Sequence, residues 1–148
     1  MSGIVCAIRG GPASRPTIEK AIETAQQTGL PIYFLYVLNM DFLMHTSQTQ
    51  TGTLARELRE LGEFILLTAQ TRAEMRNATA HGVIKEGSVV RDEIIELSHE
   101  VNADYVVLGR PRETKEKNVF TSEILAEFSQ RLEAETGAKV VFAAEETE

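Results

Sequence analysis

The chain alternates between short apolar runs and longer segments in which apolar residues recur at helical spacing. The apolar runs are rich in β-branched residues and are bounded by glycine, proline or asparagine, a pattern typical of strands buried on both faces. These runs cover residues 4–9, 31–38, 83–86, 104–108 and 139–143. Because four helical segments separate them, the pattern predicts a parallel sheet with helices on both faces, joined by right-handed crossovers.

The predicted architecture is a doubly wound, three-layer α/β sandwich of the Rossmann-like class. Ligands of such sheets bind beyond the carboxyl ends of the strands, at the point where the winding reverses. Alternation alone does not fix the strand order, so the position of that point stays open at this level.

Capping residues predict where the helices begin and end. Ser14 offers a hydroxyl N-cap to the first helix, Pro16 suits its first turn, and Gly29 is expected to end it. The second helix is the longest and is expected to end near Gly82. Gly137 is expected to end the last helix.

An apolar stripe opens the second helix. We expect it to pack on the sheet, with a surface for a partner as the alternative. The stripe consists of Leu54, Leu58, Leu61 and Ile65. The preceding residues 39–53 are polar and predict a loop, whose four apolar side chains could form a lid, a partner patch or a cover for the sheet edge. Those side chains are Met40, Phe42, Leu43 and Met44.

Composition narrows the class of protein. The 148 residues, 43% of them hydrophobic and 25% charged, predict one globular domain over residues 1–148. The net charge of −7 argues against general binding to nucleic acid or to anionic membranes. The chain has no apolar run of membrane-spanning length, no recognisable leader and a single cysteine, so we expect a cytoplasmic protein.

Side chains that could perform catalysis are sparse. His45, His81 and His99 are scattered without partners at metal-ligand spacing, and Cys6 lies in an apolar strand where a thiol packs as a small hydrophobic group. The turn Arg9-Gly10-Gly11 lacks the serine and aspartate that pyrophosphatase chemistry would need there. Cations do concentrate near the strand ends, and they predict either an anion pocket or, for the two lysines, a solvated loop. They are Arg9, Arg110, Arg112, Lys115 and Lys117.

The stretch from Val83 to Gly109 resembles the universal stress protein family. It contains Val83-Ile84-Lys85-Glu86-Gly87, the aliphatic pair Ile94-Ile95, the pair Ala103-Asp104, and a strand ending in Leu108-Gly109, in the family's order and spacing. The resemblance implies an adenine nucleotide alpha hydrolase-like sheet of order 3-2-1-4-5, with the winding reversal between the first and fourth strands. It also implies a homodimer paired through the last strand, residues 139–143.

Many family members bind ATP through a glycine motif that this chain keeps only in part. Gly109 matches the first glycine, Arg112 occupies the second, and Ser122 stands near the final phosphate contact. Arg9 replaces an aspartate common at the end of the first strand. The resemblance implies ATP or another adenine nucleotide as ligand, with Val37 beside the base and Arg9, Gly10, Gly11, Gly109, Arg110, Arg112 and Ser122 around the remainder.

The leading hypothesis is a non-catalytic, stress-linked homodimer whose partner surface responds to an adenine nucleotide. The first alternative is a member that has lost nucleotide binding and acts through protein partners or another anion, because Arg112 and Pro111 would obstruct a backbone phosphate cradle. The second alternative, a slow ATP hydrolase, rests on the family association with ATP alone.

Overall fold

The computed structural model describes residues 2–10, 14–39, 48–87, 89–109 and 118–143, with the backbone only for 48–51 and 118–124. Five strands and four helices alternate along this part of the chain. In chain order they are β1 (Gly3–Ala7), α1 (Arg15–Thr28), β2 (Ile32–Asn39), α2 (Gln48–Glu74), β3 (Ala80–Gly87), α3 (Val90–Glu100), β4 (Ala103–Leu108), α4 (Asn118–Thr136) and β5 (Lys139–Phe142).

All four strand pairings are parallel, and the sheet order is β3-β2-β1-β4-β5. The predicted doubly wound sandwich and the order 3-2-1-4-5 are therefore confirmed. One apolar cluster lies between the sheet and helices α1 and α2, and the other lies between the sheet and helices α3 and α4. None of the described helices is both long enough and apolar enough to cross a membrane.

Several element boundaries differ from the predictions. β1 ends at Ala7, so Arg9 follows the strand and does not belong to it. α2 already begins at Gln48, so the polar segment 39–53 is in part helical. The apolar side chains predicted within that loop, residues 40–44, lie outside the described residues.

Gly82 does not end α2, and the prediction was wrong there. The chain leaves the helix at Asn77, which adopts a left-handed φ of 64°, and β3 begins at Ala80. Gly82 lies inside β3 because α2 passes close to the strand: a Cβ at position 82 would lie 3.2 Å from the Leu66 Cβ. The missing Cβ thus leaves room for the helix to lie close to the strand. The terminal glycines were predicted correctly, since Gly29 and Gly137 have left-handed φ of 76° and 77°.

The stripe expected to pack α2 on the sheet faces partly outward. Leu61 is 49% exposed, whereas the helix packs through smaller side chains. A Cβ at Gly62 would lie 2.6 Å from the Tyr36 Cδ2, so the helix axis comes close to the aromatic ring at that point. Helix α2 is therefore rotated so that its small residues meet the sheet. The buried face consists of Gly62, Leu66, Ala69 and Ala73.

Ion pairs fasten the edge strand β3 to a helix on each face of the sheet. The Lys85 Nζ donates to Glu96 and Glu100 of α3, each at 2.8 Å, and its side chain is 14% exposed. On the other face, Arg59 of α2 pairs with Glu86 at 3.3 Å. Burial opposes the charge on Lys85, but its hydrogen bonds to Glu100 and Glu96 outweigh that effect and raise its pKa. The hydrogen bond from Lys85 lowers the pKa of Glu96.

We predict that Gly62→Ala destabilises the protein, although alanine is about 1 kcal/mol more favourable than glycine inside a helix. The added Cβ would clash with the Tyr36 ring, and overpacking of this kind typically costs about 1–3 kcal/mol. Urea unfolding measures the difference. Gly52→Ala is the matched control, because it lies in the same helix with no atom within 4 Å of an added Cβ and should be stabilising. Equal effects of the two substitutions would contradict the close approach of α2.

We also predict a pH-dependent cost for Lys85→Met. A lowered pKa on Glu96 gives stability that is present above the ordinary carboxyl pKa and is lost as the pH falls through the lowered value. A raised pKa on Lys85 gives stability that is present below the ordinary lysine pKa and is lost as the pH rises through the raised value. The substitution should thus lower the melting temperature at neutral pH and have a smaller effect near pH 3.

Lys20→Met provides the comparison for this measurement. Lys20 pairs with Glu23 at 3.3 Å on the exposed surface of α1, where ion pairs contribute little. If both lysine substitutions changed the melting temperature by the same amount at each pH, the cluster around Lys85 would have no special role in holding β3.

Candidate functional site

The winding of the sheet reverses between β1 and β4, which are neighbours at its centre. Cys6 of β1 is paired with Val107 of β4, and both strands end within two residues of that pair. The segments that leave them begin at Ile8 and Gly109 and therefore start side by side at the carboxyl ends of the strands. A doubly wound sheet binds its ligands at this end.

Ser14 closes the turn that leads from β1 into α1. Its hydroxyl accepts a hydrogen bond from the Arg9 N–H at 2.8 Å and donates one to the Arg9 carbonyl oxygen. Ser14 occupies the N-cap position as predicted, but its hydroxyl makes no capping bond to the helix. The first turn of α1 also has no acidic side chain. Within the described residues, the positive end of this helix thus has neither a side-chain cap nor an acidic first-turn residue to neutralise it.

Gly109 follows β4 and lies against the first turn of α1. A Cβ at this position would stand 2.8 Å from the Thr17 Oγ1, and Thr17 is buried. Gly10 shows a comparable contact, because its Cβ would lie 2.8 Å from the Ile65 Cδ1 of α2. At both glycines, the position that a Cβ would take is thus close to a side chain of the protein itself. Thr17 and Ile65 were not predicted as neighbours of the site, and no local motif marks them, since each is far in sequence from the glycine that it contacts.

The predicted site residues fall into three groups. Arg9, Gly10 and Gly109 are exposed at the ends of β1 and β4, and the fold brings them to one edge. Val37 is half-buried near the end of β2 and packs with the cluster beneath α3 and α4. The other predicted residues lie outside the described part of the chain. They are Gly11, Arg110, Arg112, Lys115, Lys117 and the side chain of Ser122.

Cys6 is part of the core, and the two described histidines are exposed residues of β3 and α3. Cys6 is fully buried, its Sγ lies 3.8 Å from the Thr17 carbonyl oxygen, and burial raises the pKa of its thiol well above the ordinary value. His81, predicted at a helix end, lies in β3 and stacks on Tyr33 with ring centroids 5.1 Å apart. His99 lies in the last turn of α3, and His45 lies outside the described residues.

We predict that Ser14→Ala destabilises the protein by about 1–2 kcal/mol and increases hydrogen exchange at the Arg9 amide. The substitution removes the acceptor for that amide and a donor to the Arg9 carbonyl. Ser129→Ala is the control: its hydroxyl donates only to the Leu125 carbonyl within α4, so the loss should stay within about 0.5 kcal/mol. Unchanged exchange at Arg9 would show that Ser14 does not hold the turn.

Comparison with known proteins identifies a family for most of the chain. A profile of the universal stress protein family matches residues 1–132. The search of curated proteins found no match.

Solved structures of the same fold are distant in sequence. A universal stress protein from Burkholderia pseudomallei is 20% identical, with a TM-score of 0.68 over 94% of this chain and 92% of that one. UspA from Lactobacillus plantarum is 14% identical, with a TM-score of 0.74 over 97% of both chains. The universal stress protein from Archaeoglobus fulgidus, solved in complex with dAMP, is 16% identical, with a TM-score of 0.62 over 97% of this chain and 98% of that one. Since the family profile matches most of the chain, the protein belongs to the universal stress protein family.

Proposed function

We propose that the protein is a non-catalytic, homodimeric binding module of the cytoplasm, and that it responds to an adenine nucleotide held at the carboxyl ends of β1 and β4. The observation that carries this proposal is the meeting of Arg9, Gly109 and the uncapped start of α1 at the winding reversal. The exposed arginine side chain and the helix dipole both favour an anion, and Gly109 lets the end of β4 lie against the first turn of that helix.

Related structures indicate the kind of anion. The Archaeoglobus fulgidus relative is in complex with dAMP, another universal stress protein is in complex with cAMP, and one from Arabidopsis thaliana has AMP bound. Each of these ligands joins an adenine base to a phosphate. An adenine nucleotide is therefore the first ligand to test for this chain.

The residues at the strand ends suit the two halves of such a ligand. The exposed Arg9 guanidinium and the first-turn N–H groups of α1 would hold phosphate oxygens, since both donate hydrogen bonds to anions. Val37, half-buried at the end of β2, would contact the base through its apolar side chain. Arg110, Arg112 and Ser122 are proposed as further phosphate contacts on the strength of the sequence motif.

Two arguments support a binding module over an enzyme. The motifs of the sequence contain no set of nucleophile, general base and metal ligands. The charged residues among the proposed ligand contacts are arginines, which are cationic hydrogen-bond donors. The dimer is proposed through β5, because this strand lies at one edge of the sheet and carries the apolar run Val140-Val141-Phe142. An edge strand of this composition favours pairing with a second strand.

Native mass spectrometry of the purified chain, followed by titration calorimetry with ATP, AMP and cAMP, tests the proposal. We expect a dimer that binds at least one of these nucleotides, and we expect Arg9→Ala to weaken binding by roughly tenfold through loss of a charged phosphate contact. Arg91→Ala, at an exposed position on α3, is the matched control and should bind as the wild type does.

The outcomes separate the parts of the proposal. A dimer that binds none of the three nucleotides at millimolar concentration would contradict the proposed ligand. That result would favour a module that acts through protein partners or another anion. If Arg9→Ala and Arg91→Ala weakened nucleotide binding equally, the ligand would not lie at the carboxyl end of β1. Phosphate release above the buffer rate, abolished by Arg9→Ala, would instead establish the slow hydrolase.

A further inference from the structure

Helix α2 has a second apolar face that points away from the sheet. Its members are 49%, 66%, 60% and 79% exposed, although each is a large hydrophobic side chain. We call this face the α2 outer stripe; it consists of Leu61, Phe64, Leu67 and Met75. At 3.6 residues per turn the stripe spans about 120° of the helix circumference and lies opposite the buried face.

The helix that carries the stripe is continuous as far as Met75, with Thr68 and Thr71 between Leu67 and Met75 on the same face. Met75 follows the last residue of α2, yet its N–H still donates to the Thr71 carbonyl oxygen at 3.0 Å, so the helical path extends to it. From Leu61 to Met75 the stripe is therefore about 21 Å long, or roughly four turns. A surface of this length matches one side of a second helix.

Exposed carboxylates lie among the residues of the outer stripe and along one side of it. Four exposed glutamates lie on the same side of the helix, and none of them forms an ion pair within the described part of the chain. They are Glu57, Glu60, Glu63 and Glu74.

The cations near this surface are mostly neutralised within the protein. Arg59 is paired with Glu86, while Arg72 and Arg76 both contact Glu19 of α1. Arg56 is the one arginine of α2 that has no ion pair among the described residues. The face that a partner would meet is therefore apolar along its axis and acidic beside it.

We propose that the α2 outer stripe is a docking surface for an amphipathic, basic helix of another protein. Such a helix would bury its apolar side on Phe64 and Leu67 while its lysines or arginines approach the unpaired glutamates. A second copy of the chain is the weaker candidate, because it would bring a net charge of −7 and its own glutamates against the same acidic face. This surface is the side of α2 that points away from the sheet. The proposed docking does not depend on the nucleotide site.

Two synthetic peptides of 18 residues can probe the stripe in the full-length protein. One consists of leucine and lysine arranged as an amphipathic helix, and the other has glutamate in place of every lysine. With fluorescence anisotropy we expect the leucine–lysine peptide to bind, with an affinity that falls as salt rises, and the leucine–glutamate peptide to bind at least roughly tenfold more weakly.

Matched variants assign that binding to the stripe. Phe64→Ser with Leu67→Ser should weaken binding by roughly tenfold or more, as expected for the centre of a helix interface. Val89→Ser with Val90→Ser, two exposed apolar positions elsewhere, should leave binding unchanged. Glu60→Gln with Glu63→Gln should weaken binding and flatten its salt dependence, whereas Asp104→Asn with Glu127→Gln, which removes two exposed carboxylates elsewhere, should not.

Several results would overturn the proposal. They are failure of the leucine–lysine peptide to bind at about 0.5 mM, equal binding of the two peptides, or equal losses in the stripe variants and their controls. Sedimentation of the free protein provides a further test: self-association that disappears in the Phe64→Ser, Leu67→Ser variant would make a second copy the occupant. Circular dichroism of each variant identifies any that fail to fold.

Discussion

The central strand β1 must be covered on both faces, because Ile4, Val5 and Cys6 have no exposed surface. Ile4 and Cys6 belong to the cluster beneath α1 and α2, while Val5 belongs to the cluster beneath α3 and α4. One five-residue strand thus joins both cores of the molecule. Its pairing with β2 on one side and β4 on the other sets the order of the sheet, and that order in turn sets the edge at which Arg9 and Gly109 meet.

The alternation of buried strands and helical segments was sufficient to predict the layers, because strands covered on both faces leave nearly continuous apolar runs. The order of the strands came from family resemblance, and the structure confirms it. Element ends were harder to predict. Gly82 looks like a helix stop in sequence, but its role is to let α2 approach β3, and an approach between distant residues leaves no local signature.

The face of α2 that meets the sheet combines Leu66 with three small residues. Gly62, Ala69 and Ala73 allow the helix to lie close to the strands, and the larger Leu61 and Phe64 turn outward as a result. A helical hydrophobic period alone cannot distinguish these two faces, because both are apolar. The prediction for the proposed nucleotide site had a similar limit: it named residues that follow β1 and β4, but Thr17 is found beside Gly109 only in the folded chain.

The burial of Cys6 has a practical consequence. It is the only cysteine of the chain, it has no exposed surface, and it lies in the strand that joins both cores. A thiol reagent can reach it only when β1 separates from the helices above it, and this opening removes the centre of the fold. The rate at which Cys6 is labelled thus reports on global opening of the fold, and the native sequence supplies this probe without an engineered cysteine.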